Sequence, residues 1–105
     1  MGVSSDEIEF TPVTNHVSFD DFTVKRTGRI LFVRIFCKTK TAFTAGSSVN
    51  IGSLSGSYVT GFSLAGMHAS GYVWGNGQVD IRPPYNLGAN TSIYISGITF
   101  YTGEV

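Results

Sequence analysis

Apolar residues in this chain recur at every second position, and nowhere does a helical period run for more than a turn. Thr, Val, Ile, Phe and Tyr fill short runs separated by glycine, so the pattern predicts an all-β chain. The longest predicted strand is Ile30 to Thr39. Leu31, Val33, Ile35 and Cys37 form its unbroken apolar face, and Ile30, Phe32, Arg34, Phe36 and Lys38 form a mixed one. The first face is core. The second is either a half-solvated outer surface or a partner contact made through Phe32 and Phe36. Upstream, Val17 and Phe19 share one parity while Phe22 and Val24 share the other, which predicts a bulge or turn at Asp20-Asp21. Arg26-Thr27-Gly28-Arg29 reads as the tight turn into the long strand. Val49 and Ile51 read as a short strand ended by Gly52, with a loop from Ser53 to Gly56. Tyr58 to Met67 alternates as a further strand. Ser92 to Tyr101 is apolar on both parities, with Ile93 and Ile95 on one and Tyr94, Ile98 and Phe100 on the other. Such a strand is expected to be covered on both faces, between sheets or against another subunit.

The stretch Ala69 to Arg82 predicts a β-hairpin turned by Gly75-Asn76-Gly77. A loop of Asn76-Gly77 alone would set Val73 against Asp80 and mix the faces. With all three residues in the loop and Gly77 left-handed, Trp74 opposes Gln78, Val73 opposes Val79, Tyr72 opposes Asp80 and Gly71 opposes Ile81. Because a one-residue slip flips every side chain, the burial pattern selects this second register. It sends Ala69, Gly71, Val73, Val79 and Ile81 inward. Ser70, Tyr72, Trp74, Gln78, Asp80 and Arg82 face outward. Pro83-Pro84 cannot donate to a ladder at two successive positions, so the strand must end there.

These elements amount to about seven or eight strands, which predicts an antiparallel β-sandwich, jelly-roll-like, in one domain over residues 15 to 105. Residues 1 to 14 read as a flexible arm or linker with an extended piece around Ile8 and Phe10, the start of a domain cut from a longer chain. The 105 residues carry seven basic and seven acidic side chains, and that balance argues against nucleic acid as a partner. The charges are segregated. Those before Lys25 are all acidic, those from Lys25 to Lys40 all basic, and only Asp80, Arg82 and Glu104 follow. A surface so poor in charge is expected to be covered by another copy of the chain. Cys37 is the single cysteine, so no internal disulfide forms, and no apolar run is long enough to imply membrane insertion.

Three stretches together resemble the C-terminal receptor-binding (head) domains of bacteriophage tail-fibre and baseplate proteins. Val24-Lys-Arg-Thr-Gly-Arg-Ile-Leu-Phe-Val33 is similar to the basic, glycine-turned opening of their long strand. Val49-Asn-Ile-Gly-Ser-Leu-Ser-Gly-Ser-Tyr58 resembles their Ile-Gly-Thr-Leu-Pro-x-Gly-Tyr segment at Gly52, Leu54 and Tyr58, with Ser55 in place of the proline and no following Arg-Pro. The late hairpin and the closing Ile/Tyr strand complete the order. The resemblance implies a homotrimer at the tip of a virion tail appendage, joined to upstream fibre or baseplate segments and binding a bacterial surface polysaccharide outside the host cell.

Saccharide binding needs a flat ring to cover the C–H face of a sugar and polar partners for its hydroxyls. Tyr72 and Trp74 supply rings, and Gln78, Asp80 and Arg82 supply hydrogen bonds, with His68 just before the hairpin. A phosphate-bearing polymer would take Arg82 as its anchor. The same rings fit a subunit contact equally, with Asp80 paired to Arg82 along the strand. Neither His16 nor His68 has the neighbours a metal site requires, and no cofactor is expected. No nucleophile signature is present, and Asp20-Asp21 would face opposite sides of a strand, so no enzyme is expected. The expected role is adhesion. Two alternatives stand beside it: a purely structural domain that trimerises and caps a fibre, and a trimeric protein ligand like the tumour-necrosis-factor family.

Overall fold

A computed structural model, describing residues 8–59 and 62–102, shows two antiparallel sheets packed together as a small β-sandwich. The strands are β1 (Phe10–Pro12), β2 (Val17–Thr27), β3 (Ile30–Thr39), β4 (Val49–Leu54), β5 (Phe62–Met67), β6 (Ser70–Val73), β7 (Gln78–Arg82) and β8 (Ser92–Phe100). Their spatial order is β1-β4-β7-β6-β5-β8-β3-β2. β5 belongs to both sheets: Phe62 to Leu64 pair with β6, and Ala65 to Met67 pair with β8.

Alternation decides which side of each strand enters the core. Leu31, Val33, Ile35 and Cys37 of β3 and Ile93 and Ile95 of β8 meet Ile51, Val73, Val79 and Ile81 of the facing sheet, all removed from solvent. Fully burying an aliphatic side chain contributes about 1.5–3 kcal/mol, so this double row is the main source of stability. Cys37 behaves as one of these hydrophobes, and burial pushes its thiol up to about 12. The bulge expected at Asp20-Asp21 is present, because the β2–β3 register shifts between Phe19 and Asp21. Past it, Phe22 joins Phe10 and Phe19 in a cluster of edge-on rings at the side of the sandwich.

Several expectations change. β2 outruns β3, with 11 residues against 10, since it continues to Thr27 and leaves only Gly28 and Arg29 as the turn. Arg26 is therefore not a turn residue. It is buried, with its guanidinium 4.3 Å from the Tyr101 ring centroid and Nη1 donating to the Gly28 carbonyl. Gly52 does not end β4, and Ser53 and Leu54 lie in strand rather than loop. The glycine admits a close neighbour instead, for a Cβ there would sit 2.5 Å from the Phe10 ring that β1 lays across it. Tyr58 stands apart from β5 in a bridge to Tyr101, while residues 60 and 61 of the expected Tyr58 to Met67 strand lie outside the described residues. β8 is covered on one face only. Ile93, Ile95 and Thr99 point inward, and Ile98 and Phe100 face solvent.

Candidate functional site

The β6–β7 hairpin forms in the register that its side-chain parity predicts: Ser70 opposite Arg82, Gly71 opposite Ile81, Tyr72 opposite Asp80 and Val73 opposite Val79. Its loop closes by Trp74 N–H donating to the Gln78 carbonyl at 2.9 Å and Gly77 N–H donating to the Trp74 carbonyl at 2.9 Å. Gly77 sits at φ 94°, and a Cβ there would lie 2.1 Å from the Leu54 carbonyl oxygen. Only glycine satisfies both conditions. The loop is also held from outside, by Leu54 N–H to the Gly77 carbonyl at 2.7 Å and Tyr58 N–H to the Gly75 carbonyl at 2.8 Å. The site therefore stands on a braced turn rather than a free tip.

On the outward face, Trp74 keeps 37 % of its surface in solvent while its ring packs edge-on to Tyr72, with centroids 4.7 Å apart. Its indole N–H donates to Asp80 Oδ2 at 2.8 Å, and Gln78 Nε2 donates to Asp80 Oδ1 at 2.9 Å. Asp80 itself is only 6 % exposed. Each carboxylate oxygen has a donor within the hairpin, so Asp80 orients the indole and the amide from beneath. That role differs from the direct hydroxyl contact expected of it.

Along the same face, Ser70 and Arg82 lead to a groove of about 510 Å³ lined by Gly46, Gly66, His68, Ser70, Arg82, Tyr85 and the Pro83-Pro84 step. His68 occupies the two-residue turn between β5 and β6 at φ 71°, a left-handed backbone that costs a non-glycine residue some strain. Its Nδ1 lies 2.9 Å from the Tyr85 hydroxyl, with the two rings edge-on. Arg82 does not pair with Asp80. Its Nε and Nη2 donate to Ser48 Oγ at 3.3 and 3.0 Å, which fixes the guanidinium at the rim of the groove.

The predicted residues thus fall into two adjoining groups: Tyr72, Trp74, Gln78 and Asp80 on the hairpin, and His68 and Arg82 in the groove. Together they make one continuous strip, about 13 Å long from Gln78 to Arg82 at strand rise. Sequence reasoning missed Tyr85 and Ser48. The two prolines before Tyr85 were the available signal, since they fix the chain direction that carries its ring back over the groove. Ser48 reaches Arg82 from a distant loop, and no local pattern marks it. Chemically the strip offers an exposed aromatic surface, a guanidinium, an imidazole and hydroxyls, all held by neighbours.

No protein-family model matches this chain, and neither a curated protein nor a solved structure is significantly similar to it.

Proposed function

We propose that this domain binds a saccharide along the outer face of the β6–β7 hairpin, and that it serves as a receptor-binding domain of a phage tail fibre or baseplate, acting outside the host cell on a bacterial surface polysaccharide. The observation that carries the reading is the Trp74 indole, open to solvent on one side and held in place on the other by Asp80. A ring fixed before the ligand arrives loses little rotamer entropy on binding, and its apolar face covers the C–H face of a sugar. Arg82, His68 and Tyr85 then supply donors for hydroxyl or acidic substituents further along the strip. The function is recognition without turnover. Individual contacts of this size are weak, and several copies displayed together raise the effective affinity.

Trp74 is the sole tryptophan, so its emission reports directly on the strip. Titration with wall polysaccharides extracted from candidate hosts is expected to change that emission saturably. In a pull-down on intact cells, Trp74→Ala and Arg82→Ala are each expected to lose at least about tenfold in binding, with circular dichroism unchanged. Retention of full binding by Trp74→Ala overturns the reading.

A second reading, an assembly domain with no ligand of its own, is favoured by a different observation: the large apolar side chains left in solvent on the outer face of the other sheet. In that case Trp74→Ala and Arg82→Ala change nothing at cells, because nothing binds there.

A further inference from the structure

We infer that the groove between the β5–β6 turn and the Pro83-Pro84 step is an anion subsite, which takes a carboxylate or phosphate group carried by an acidic saccharide. The inference rests on the saccharide reading and adds the charge of the ligand to it. It starts from the state of Arg82, an exposed residue whose guanidinium stands at the groove rim. Nε and Nη2 both donate to one neutral oxygen, Ser48 Oγ, so the group is held in place without being neutralised. Among the described residues its Nη1 side has no protein partner, and no carboxylate comes within ion-pairing distance of it. Asp80, the acid of β7, is engaged elsewhere, with one oxygen accepting from the Trp74 indole and the other from the Gln78 amide. Among the described residues that line the groove, none is acidic. A fixed cation facing a cavity without a counter-charge of its own is a receptor for one brought by the ligand.

His68 and Tyr85 add a hydrogen-bond donor to that charge. With the imidazole neutral, the two side chains hold one N–H and one O–H between them, and the 2.9 Å contact of Nδ1 with the hydroxyl uses one. Either tautomer leaves a donor over: Nε2–H where the hydroxyl donates to Nδ1, and the hydroxyl where Nδ1–H donates to it. A protonated imidazole leaves two. Pro83 and Pro84 wall the groove with carbon, which weakens the screening of the guanidinium field inside it. Hydrogen bonds from a cation to an ionised oxygen are roughly twice as strong as neutral ones, so these groups favour an acidic substituent over a hydroxyl. Tyr72 and Trp74 stand outside the groove lining. The stacked ring and the acid therefore occupy separate subsites, and the ligand carries its charge beyond the sugar that covers Trp74.

The test is a titration of the full chain, followed by Trp74 emission, with extracted wall polysaccharide in three forms: untreated, carboxyl-reduced, and freed of phosphate by hydrofluoric acid. Removing the acid that the groove reads is expected to weaken binding at least about tenfold, and the treatment that does so identifies it as carboxylate or phosphate. Arg82→Gln, at an exposed position, is expected to weaken binding of the untreated polymer comparably and to leave binding of the neutralised polymer unchanged. Ser48→Ala is expected to weaken binding of the untreated polymer severalfold, because Arg82 loses the hydroxyl that holds it. Binding unchanged by the two treatments together overturns the inference and leaves the saccharide reading standing. An equal loss on treated and untreated polymer in Arg82→Gln also overturns it, since Arg82 then meets an uncharged part of the ligand. Polysaccharides that neither move Trp74 emission nor are retained by the domain overturn the saccharide reading and this inference with it.

Discussion

Trp74 and Asp80 are diagonal neighbours across the β6–β7 hairpin, not opposite ones, and the indole N–H reaches across to Oδ2, on the rung that Asp80 shares with Tyr72, at 2.8 Å. The link ties the exposed indole of the hairpin to the most buried charge of the strip. A carboxylate that a loosely held side chain would leave in water is here roofed by the groups it orients.

Asp80→Ala removes the acceptor for two donors at once, the Trp74 indole and the Gln78 amide. Hydrogen bonds to a charged group are worth about 1.5–3 kcal/mol, so a loss of stability of that order is expected, with Asp80→Asn losing less. Urea denaturation checks it. A change below about 0.5 kcal/mol for the alanine variant would show that the clamp contributes little.

Gly77→Ala is expected to cost more than about 2 kcal/mol, because the left-handed backbone and the collision with the Leu54 carbonyl add. Trp74 emission in the variant is expected to shift toward that of the unfolded chain, since the indole hangs from the same loop. Thermal denaturation and emission spectra measure the two effects separately.

Burial, reinforced by Asp20, pushes the Cys37 thiol from its ordinary 9.0 up to about 12. Burial together with Tyr101 pushes the Tyr58 phenol from 10.0 up to about 12, against the opposing pull of Arg26. In the unfolded chain both groups release protons at their ordinary values, while the folded chain retains them. Stability is therefore fully present below about pH 9 and is lost progressively as pH rises from there toward 12. Denaturant midpoints measured from pH 7 upward are expected to fall beyond pH 9, and to fall less steeply in Cys37→Ala. The native thiol should also resist alkylating reagents at neutral pH until the chain is unfolded.

Tyr85→Phe deletes the hydroxyl that meets His68 Nδ1 at 2.9 Å while keeping the ring. The site is exposed, so stability is expected to change by less than about 0.5 kcal/mol. Polysaccharide affinity is expected to fall severalfold, because His68 loses the contact that orients it toward the groove. Equal affinity in fluorescence titration would remove the groove from the binding strip.

The hairpin was legible because its two parities differ so sharply in chemistry that only one register buries Gly71, Val73, Val79 and Ile81 together. The face of β3 was legible for the same reason. The fate of Asp80 was not, since outward parity implies exposure and its cover comes from ring orientations that a linear pattern does not carry. Gly52 misled in another way. Glycine marks strand ends as often as close approaches, and the Phe10 ring that needs the space comes from the far end of the chain. Ser48 was invisible to local reasoning because its contact with Arg82 is made by tertiary folding alone. The double apolar parity of β8 was read correctly, but its outer half meets solvent within the protomer.

Among the described residues, the strand order ends at β1 on one side and β2 on the other. β1 is three residues long and finishes at Pro12, which has no N–H to offer, while β2 is bulged at Asp20 and carries Asp21 and Lys25 within it. Neither rim is a good template for another strand. Crowded on a surface or overexpressed, such a chain has no easy way to add molecules rim to rim into ribbons, the usual route to fibrous aggregates.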